Sequence, residues 1–302
     1  MVSFRPYRDG DAGGVAALLE DTAPPTYRWK LHAMHGPGRD EPSRWRTAVA
    51  VGPDGEIRGA VTAAHHSVHR GQYGLAVTVG PEHRRQGLGR ELVAEALRMR
   101  TEPLPMTAQF LGSDQAAAAL VRSVDGEIIQ TTPGFQADPA AMGEWAAAQP
   151  VPSGVVVDDL TGTPAKDLAE AFRDLYLWTH EDWCTPPMSV PAVTAHAETI
   201  ASALLREVSS GAWVDDRLAA LAAVVEEPAG GLMLISETAG RAEPDGVALV
   251  AAVVADALHR LADAGVREVT FDGHVTDDHL DPVTHTFPPG LRTDPLHVAR
   301  IS

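Results

Sequence analysis

The chain is short of cysteine, of positive charge and of long apolar runs, and each shortage narrows what it can be. A single cysteine, Cys184, among 302 residues excludes an internal disulfide framework and fits a reducing compartment. No uninterrupted apolar run reaches the roughly 20 residues of a membrane-spanning helix, and the opening Met1-Val2-Ser3-Phe4-Arg5 carries no apolar leader. A cytoplasmic protein with no membrane partner is expected. Lys and Arg number 24 against 41 Asp and Glu, a net charge of −17. The deficit is uneven: residues 1–150 carry −2 and residues 151–302 carry −15. Such an acidic half argues against nucleic acid as a partner and suits a cationic one, while plain solubility also accounts for it.

What is present suffices for two domains, since 302 residues is about twice an ordinary compact domain. Val2 to Arg8 reads as a short strand, and Asp9-Gly10-Asp11 as a helix start with Val15 to Leu19 on its apolar face. Residues 23–42, rich in Pro, Gly and His, read as a loop or a broken helix. Thr47 to Val51 and Ile57 to Val68 read as strands about the turn Gly52-Pro53-Asp54-Gly55. Tyr73 to Val79 is a third strand. Leu88 to Arg100 is a helix with Leu88, Leu92, Val93, Ala96 and Met99 on one stripe. Met106–Leu111, Gln115–Val124 and Glu127–Gln130 continue as strand, helix and strand. The Pro-containing stretch 135–154 reads as loose chain.

The second half repeats this order. Val155–Val157 is a strand, and Ala165–Leu177 and Val193–Val208 are helices. Leu218–Val225 and Leu232–Ser236 are strands, followed by the helix Val247–Ala264 and the strand Glu268–Phe271. We expect an α/β (α+β) fold duplicated at a period of about 150 residues: a domain over 1–140, a linker over 141–154 and a second domain over 155–302.

The run from Leu75 to Arg90 carries the chemistry: a strand, a turn at Pro81, then Arg84-Arg85-Gln86-Gly87-Leu88-Gly89 opening a helix. Glycines permit backbone angles and close approach that a side chain blocks. A loop so placed turns consecutive N–H groups toward one point, at the positive end of a helix, where a phosphate is favoured. Arg84, Arg85 and Arg90 add positive charge around that point.

This run resembles the GNAT superfamily of acetyl-CoA-dependent N-acetyltransferases, whose signature is Val-x-Pro-x-x-Arg leading into Arg/Gln-x-x-Gly-x-Gly/Ala. Val79, Pro81 and the six residues from Arg84 correspond, and the resemblance covers most of residues 1–135. It implies acetyl-CoA as cosubstrate, its pyrophosphate held by the amides of Arg84 to Gly89. It implies that the strand through Val77 and Val79 pairs with the pantetheine arm and polarises the thioester carbonyl. It further implies direct attack by an amine while a base removes the proton. One departure concerns the family's Tyr, which protonates the leaving thiolate. Val121 stands in its place, leaving Ser123, Tyr73, water or no acid at all, and Asp114 stands near the position of a missing Asn.

For the base, imidazole suits proton removal near neutral pH. His65, His66 and His69 lie on the neighbouring strand, where alternation puts His65, Ser67 and His69 on one face and His66 on the other. His65, His69 and Tyr73 are the catalytic candidates. The 23–42 loop covers the acceptor site in such folds, which makes Trp29, His32 and His35 candidate acceptor contacts, with Tyr27 beside them.

Setting Gly246 on Gly89 places Arg241 on Arg84 and Leu232 on Leu75. The loop Arg241-Ala242-Glu243-Pro244-Asp245-Gly246 then offers a proline without N–H and two carboxylates where a diphosphate would sit. The second copy is therefore expected not to bind CoA in the usual way. The layout resembles the tandem acetyltransferases typified by mycothiol synthase, with two GNAT-like domains, each a mixed sheet flanked by helices. His180-Glu181-Asp182-Trp183-Cys184 departs from a His-Glu-x-x-His zinc motif at its last position, so no metal is expected. Asp182, with its neighbours from Thr179 to Met188, reads as a second acceptor-side loop. His274 and His279, within Asp272 to Asp281, read as part of an acidic surface loop. The resulting expectation is an N-acetyltransferase acting on an amine of a small molecule. A protein-lysine or protein N-terminal acetyltransferase and a non-catalytic acyl-CoA-binding regulatory protein stay open, as do acyl length and oligomeric state.

Overall fold

The computed structural model describes residues 2–19, 34–40, 44–65, 67–228 and 230–302. They fall into two compact units. The first comprises residues 1–129, 184–189 and 297–302; the second comprises 130–183 and 190–296. No described helix is long and apolar enough to cross a membrane.

In the first unit, β1 (Ser3–Pro6), β2 (Arg44–Val51), β3 (Ile57–His65) and β4 (Tyr73–Val79) form an antiparallel series, and β5 (Met106–Leu111) adds parallel to β4. The turn between β2 and β3 closes because Gly55 takes φ +87°, while the Asp54 carboxylate accepts the Glu56 N–H. Two helices follow the strands, α2 (Leu88–Met99) and α3 (Gln115–Ser123), and a short α1 (Ala12–Ala16) precedes β2. Leu88, Leu92, Val93 and Ala96 recur at helical spacing on α2 and are buried against Ala48, Val61, Ala63 and Leu75 of the sheet. The other face of the sheet packs Val49 and Ala60 against Val15 and Leu18. Gly59 lets α2 approach closely: a Cβ there would lie 2.8 Å from Leu92 Cδ1 and 3.0 Å from the Thr78 carbonyl. That approach sets the start of α2 beside the end of β4.

The full order of the first sheet is β1-β2-β3-β4-β5-β13-β6, where β6 is Glu127–Thr132 and β13 is Leu296–Ile301, the last strand of the chain. The second sheet runs β7-β12-β11-β10-β9-β8, with β7 (Phe135–Ala137), β8 (Val155–Asp159), β9 (Ser210–Val214), β10 (Arg217–Glu226), β11 (Leu232–Thr238) and β12 (Val269–Asp272). Read from β8, it repeats the first sheet: four antiparallel strands, then a parallel fifth, β12, on β11. Helix α4 is Gly143–Ala147, α5 is Ala165–Glu181, α6 is Val190–Ala203, α7 is Gly246–Asp263 and α8 is Leu280–Thr284. One face of the sheet packs α7, whose near-continuous apolar sequence matches burial on most sides; the other packs α5 and α6.

Residues 141–154, expected as a linker, begin inside the second core. Met142, Trp145 and Ala146, spaced three and one apart, are buried there, and the Trp145 indole N–H donates to Thr286 Oγ1 at 2.9 Å. Pro139 marks a helical first position and not a break. Strands β9 and β13 have no counterpart in the sequence-based assignment. His180 and Glu181, expected in a loop, close α5.

Candidate active site

Strands β4 and β5 pair only at Tyr73–Met106, Gly74–Thr107 and Leu75–Ala108. From Ala76 onward β4 keeps its β3 partner along its other edge, to Val79 opposite Gly59. Among the described residues, the β5-side edge of Ala76 to Val79 thus has no strand partner. A wedge opens from Leu75 toward the helix start, and an extended ligand can complete the sheet there.

At the mouth of the wedge stands the loop after Val79. Pro81 begins a single 3-10 turn, Pro81–His83, and the chain reverses through Arg85 at φ 62° and Gly87 at φ +87°. A left-handed arginine is strained by about 1–2 kcal/mol. The two inversions gather the backbone amides. Arg84 N–H donates to the Pro81 carbonyl and Arg90 N–H to the Gly87 carbonyl. Between them, the N–H groups of Arg85, Gln86, Gly87, Leu88 and Gly89 have no hydrogen-bond partner among the described residues. No side chain caps α2, so the helix dipole adds to the same positive field. Arg84 Nε donates to the Val79 carbonyl at 3.1 Å, which ties the loop to the strand end. Gln86 Nε2 donates to the Glu82 carbonyl, and Arg85 and Arg90 stand exposed beside the amides. The glycines differ in role. A Cβ on Gly87 would meet nothing within 4 Å, so its backbone angle is what excludes other residues; a Cβ on Gly89 would lie 3.1 Å from Leu120 Cδ1 of α3.

Residues 15–123 match the acetyltransferase (GNAT) family. The match lies within the first unit. No curated protein matches the chain significantly in sequence. Three solved structures resemble it over almost its whole length. A tandem GNAT protein from the clavulanic acid biosynthesis pathway is 19% identical, with TM-score 0.63 over 99% of this chain and 98% of that one. A GCN5-related N-acetyltransferase from Sphaerobacter thermophilus is 16% identical, with TM-score 0.59 over 99% and 95%. One from Kribbella flavida is 17% identical, with TM-score 0.53 over 99% and 70%. At such identities the likeness concerns the fold, which is the tandem GNAT fold: two GNAT units, each a mixed sheet flanked by helices.

Within the first GNAT unit the candidate residues separate into groups. Val77, Val79 and the loop Arg84 to Arg90 lie together along the wedge. His65, His69 and Tyr73 gather at the other end of β4. His65 stacks on Tyr73 with ring centroids 4.8 Å apart, and His65 Nε2–H donates to the Arg70 carbonyl at 2.9 Å. His65 pairs with Tyr73, two residues before the last β4–β5 pair. His69 Nδ1 lies 3.4 Å from Cys184 Sγ, and His69 forms a backbone bridge with Met188. Tyr73 is 2% exposed in the core under α2, and its hydroxyl accepts the Thr101 N–H and shares a hydrogen bond with Thr101 Oγ1, each at 3.1 Å. That packing gives Tyr73 a structural task.

His35 is not an open loop contact. It is buried on the α1 face of the sheet, with Nδ1 2.9 Å from Thr62 Oγ1 and Nε2 2.9 Å from Thr78 Oγ1. Trp29, His32, Tyr27 and His66 lie outside the described residues. Val121 is buried with Phe110 and Ala299, Ser123 Oγ donates back to the Leu120 carbonyl, and the Asp114 carboxylate caps α3 by accepting the Ala117 N–H.

The second GNAT unit treats the same place differently. By strand ends and by face, Leu234, Ser236 and Thr238 of β11 stand where Leu75, Val77 and Val79 stand in β4, two residues on from the alignment that set Leu232 on Leu75. Glu237 therefore corresponds to Thr78. Its buried carboxylate accepts the N–H groups of Thr238, His279 and Leu280, at 2.7, 3.2 and 2.9 Å, and lies 2.8 Å from His279 Nδ1. The imidazole of His279 sits against Gly246, the first residue of α7. The Gly246 N–H donates to the Glu243 carbonyl, and Arg241 is held between Asp182 and Asp278. His279 and Asp277, expected in a surface loop, are buried. Sequence patterning missed this because a histidine paired to a distant glutamate has no local signature.

Proposed function

We propose that the first unit binds acetyl-CoA along β4 and the loop Arg84 to Gly89, and transfers its acetyl group to an amine of a small molecule. The observation that carries the reading is the run of five amides, Arg85 to Gly89, left without partners at the start of α2 and gathered by two left-handed residues. Such a nest fits a diphosphate, with Arg85 and Arg90 supplying countercharge. The free edge of Ala76 to Val79 fits the amide-bearing arm that the cosubstrate would lay against a strand. A backbone N–H on that edge polarises the acyl carbonyl as the amine attacks. Bound acetyl-CoA supplies the activated acyl group; the chain's residues orient it and carry the amine's proton away. The acidic second half supports a cationic acceptor.

We assign a single acetyl-CoA to each chain. In the second unit Glu237 and His279 lie at the matching strand end, and Pro244 offers no N–H. Calorimetric titration of acetyl-CoA into the full chain tests both statements. One site per chain, abolished by Arg84→Glu, is the expected result. Two sites would overturn the assignment of the second unit, and no binding would overturn the function. A release assay for free CoA with spermidine, glucosamine and a lysine-containing peptide then separates small-molecule from protein acceptors.

A further inference from the structure

Four buried polar side chains form a line across the α1 face of the first sheet. Gly36 N–H donates to Thr47 Oγ1 at 3.5 Å, Thr47 Oγ1 lies 3.0 Å from Thr62 Oγ1, and Thr62 leads to His35 Nδ1 and on to Thr78. The residues come from β2, β3, β4 and the segment before β2. Thr62 is 0% exposed, Thr47 5%, and His35 and Thr78 each 7%. Thr78 is the end that matters: it belongs to the stretch of β4 that has left β5, between Val77 and Val79. Polar groups so buried require partners, and here each supplies the next.

The direction of the line turns on the tautomer of His35. A backbone N–H can only donate, so Thr47 Oγ1 accepts from Gly36. The Thr47 hydroxyl can still donate or accept toward Thr62, and the relay uses the sense in which Thr62 donates to Thr47, His35 Nδ1–H donates to Thr62, and Thr78 O–H donates to His35 Nε2. In that arrangement His35 is neutral, with its lone pair on the nitrogen that faces Thr78.

We propose that Thr78 and His35 form the proton relay of the acetyl transfer, Thr78 meeting the amine and His35 acting through it. This rests on the reading of β4 as the acyl-binding strand. As the amine nitrogen bonds to the acyl carbon, its proton passes to Thr78 Oγ while the Thr78 proton passes to His35 Nε2. His35 becomes an imidazolium, still bonded to Thr62. When the carbon–sulfur bond breaks, the proton returns from His35 through Thr78 to the leaving thiolate. Proton and charge balance, and the relay needs no separate acid. That matches the aliphatic Val121, which packs against Phe110 and Ala299 and has no proton to give.

The test uses Thr78→Val, Thr78→Ser and His35→Gln in the full chain, with three readouts. Calorimetry gives acetyl-CoA affinity. CoA release with spermidine and glucosamine gives the rate. Imidazole nitrogen NMR, with the His35 signals identified by their loss in His35→Gln, gives the state of Nε2 with and without acetyl-CoA. The relay predicts affinity held within about threefold in all variants and rates lowered about 100-fold in Thr78→Val and His35→Gln. Thr78→Ser should restore most of the rate. The Nε2 signal should be that of an unprotonated nitrogen and should move on saturation with acetyl-CoA. The relay is overturned by a Thr78→Val that turns over like the parent, or by a rate that falls only with acetyl-CoA affinity. It is equally overturned if His35 Nε2 is protonated or does not respond to acetyl-CoA, a result readable even where neither amine is acetylated. A parent chain that binds no acetyl-CoA removes the reading of the site, and the relay with it.

Discussion

His279 Nδ1 lies 2.8 Å from Glu237 Oε1 in the second unit, and a Cβ added to Gly246 would come within 2.3 Å of the same imidazole. The pair joins the end of β11 to the segment leading into α8, at the start of α7. Its charge state follows pH. The hydrogen bond to Glu237 holds the His279 pKa above the usual 6.5, with Asp278 and Glu243 adding to it against burial. A group whose folded pKa lies above its unfolded value stabilises fully below the unfolded pKa and loses that contribution as pH rises through the folded one. His274, bonded to Asp277, is shifted upward too. Thermal denaturation from pH 6 upward should therefore show falling stability, with a smaller fall in His279→Gln. A flat profile in the parent chain would contradict the pairing.

Glu237→Ala removes the acceptor of three backbone N–H groups and the partner of His279. Breaking a buried pair from one side costs about 3–5 kcal/mol. Urea unfolding should show a loss of that order, with acetyl-CoA binding retained where the chain still folds.

The two loop glycines should fail in different ways. Gly87→Ala forces a side chain onto φ +87° in open space, strained by about 1–2 kcal/mol, and acts on the amide nest. Acetyl-CoA affinity should fall about tenfold or more, with little change in Tm. Gly89→Ala presses on Leu120, so its larger effect should be on Tm. Calorimetry and differential scanning measurements on both variants decide it.

Removing residues 296–302 takes β13 from between β5 and β6. An interior strand holds both neighbours, so the first unit should lose β6 and its compactness, and acetyl-CoA binding should disappear. A truncated chain that stays folded and binds normally would show that the strand is dispensable.

Cys184 is buried, and burial pushes its thiol up to about 12. The thiolate is the reactive form. Native protein at pH 8 should react negligibly with a disulfide reagent, and one thiol per chain should appear on unfolding.

Much of the first unit was legible in the amino-acid order, because its signals are local. Tyr73 to Val79 and Met106 to Leu111 are observed with the expected ends. The turn at Gly55, the stripe on α2 and the glycines after Val79 each depend on neighbours within a few residues. The duplication was legible for the same reason, since strand and helix periods repeat.

Tertiary structure decided what depends on distant partners. Leu296 to Ile301 has no assignment from the sequence and becomes a strand between β5 and β6. Residues 139–147 read as loose until Met142 and Trp145 find the second core. His35, placed by sequence in a loop, finds its partners in Thr62 and Thr78, which are 27 and 43 residues away. The Tyr73 hydroxyl finds its partner in Thr101, 28 residues on. Local periodicity records which face of an element is apolar. It holds no record of which hydroxyl or carboxylate will lie within about 3 Å of a given ring nitrogen, and that distance is what turns a histidine into a core partner, a lock or a relay.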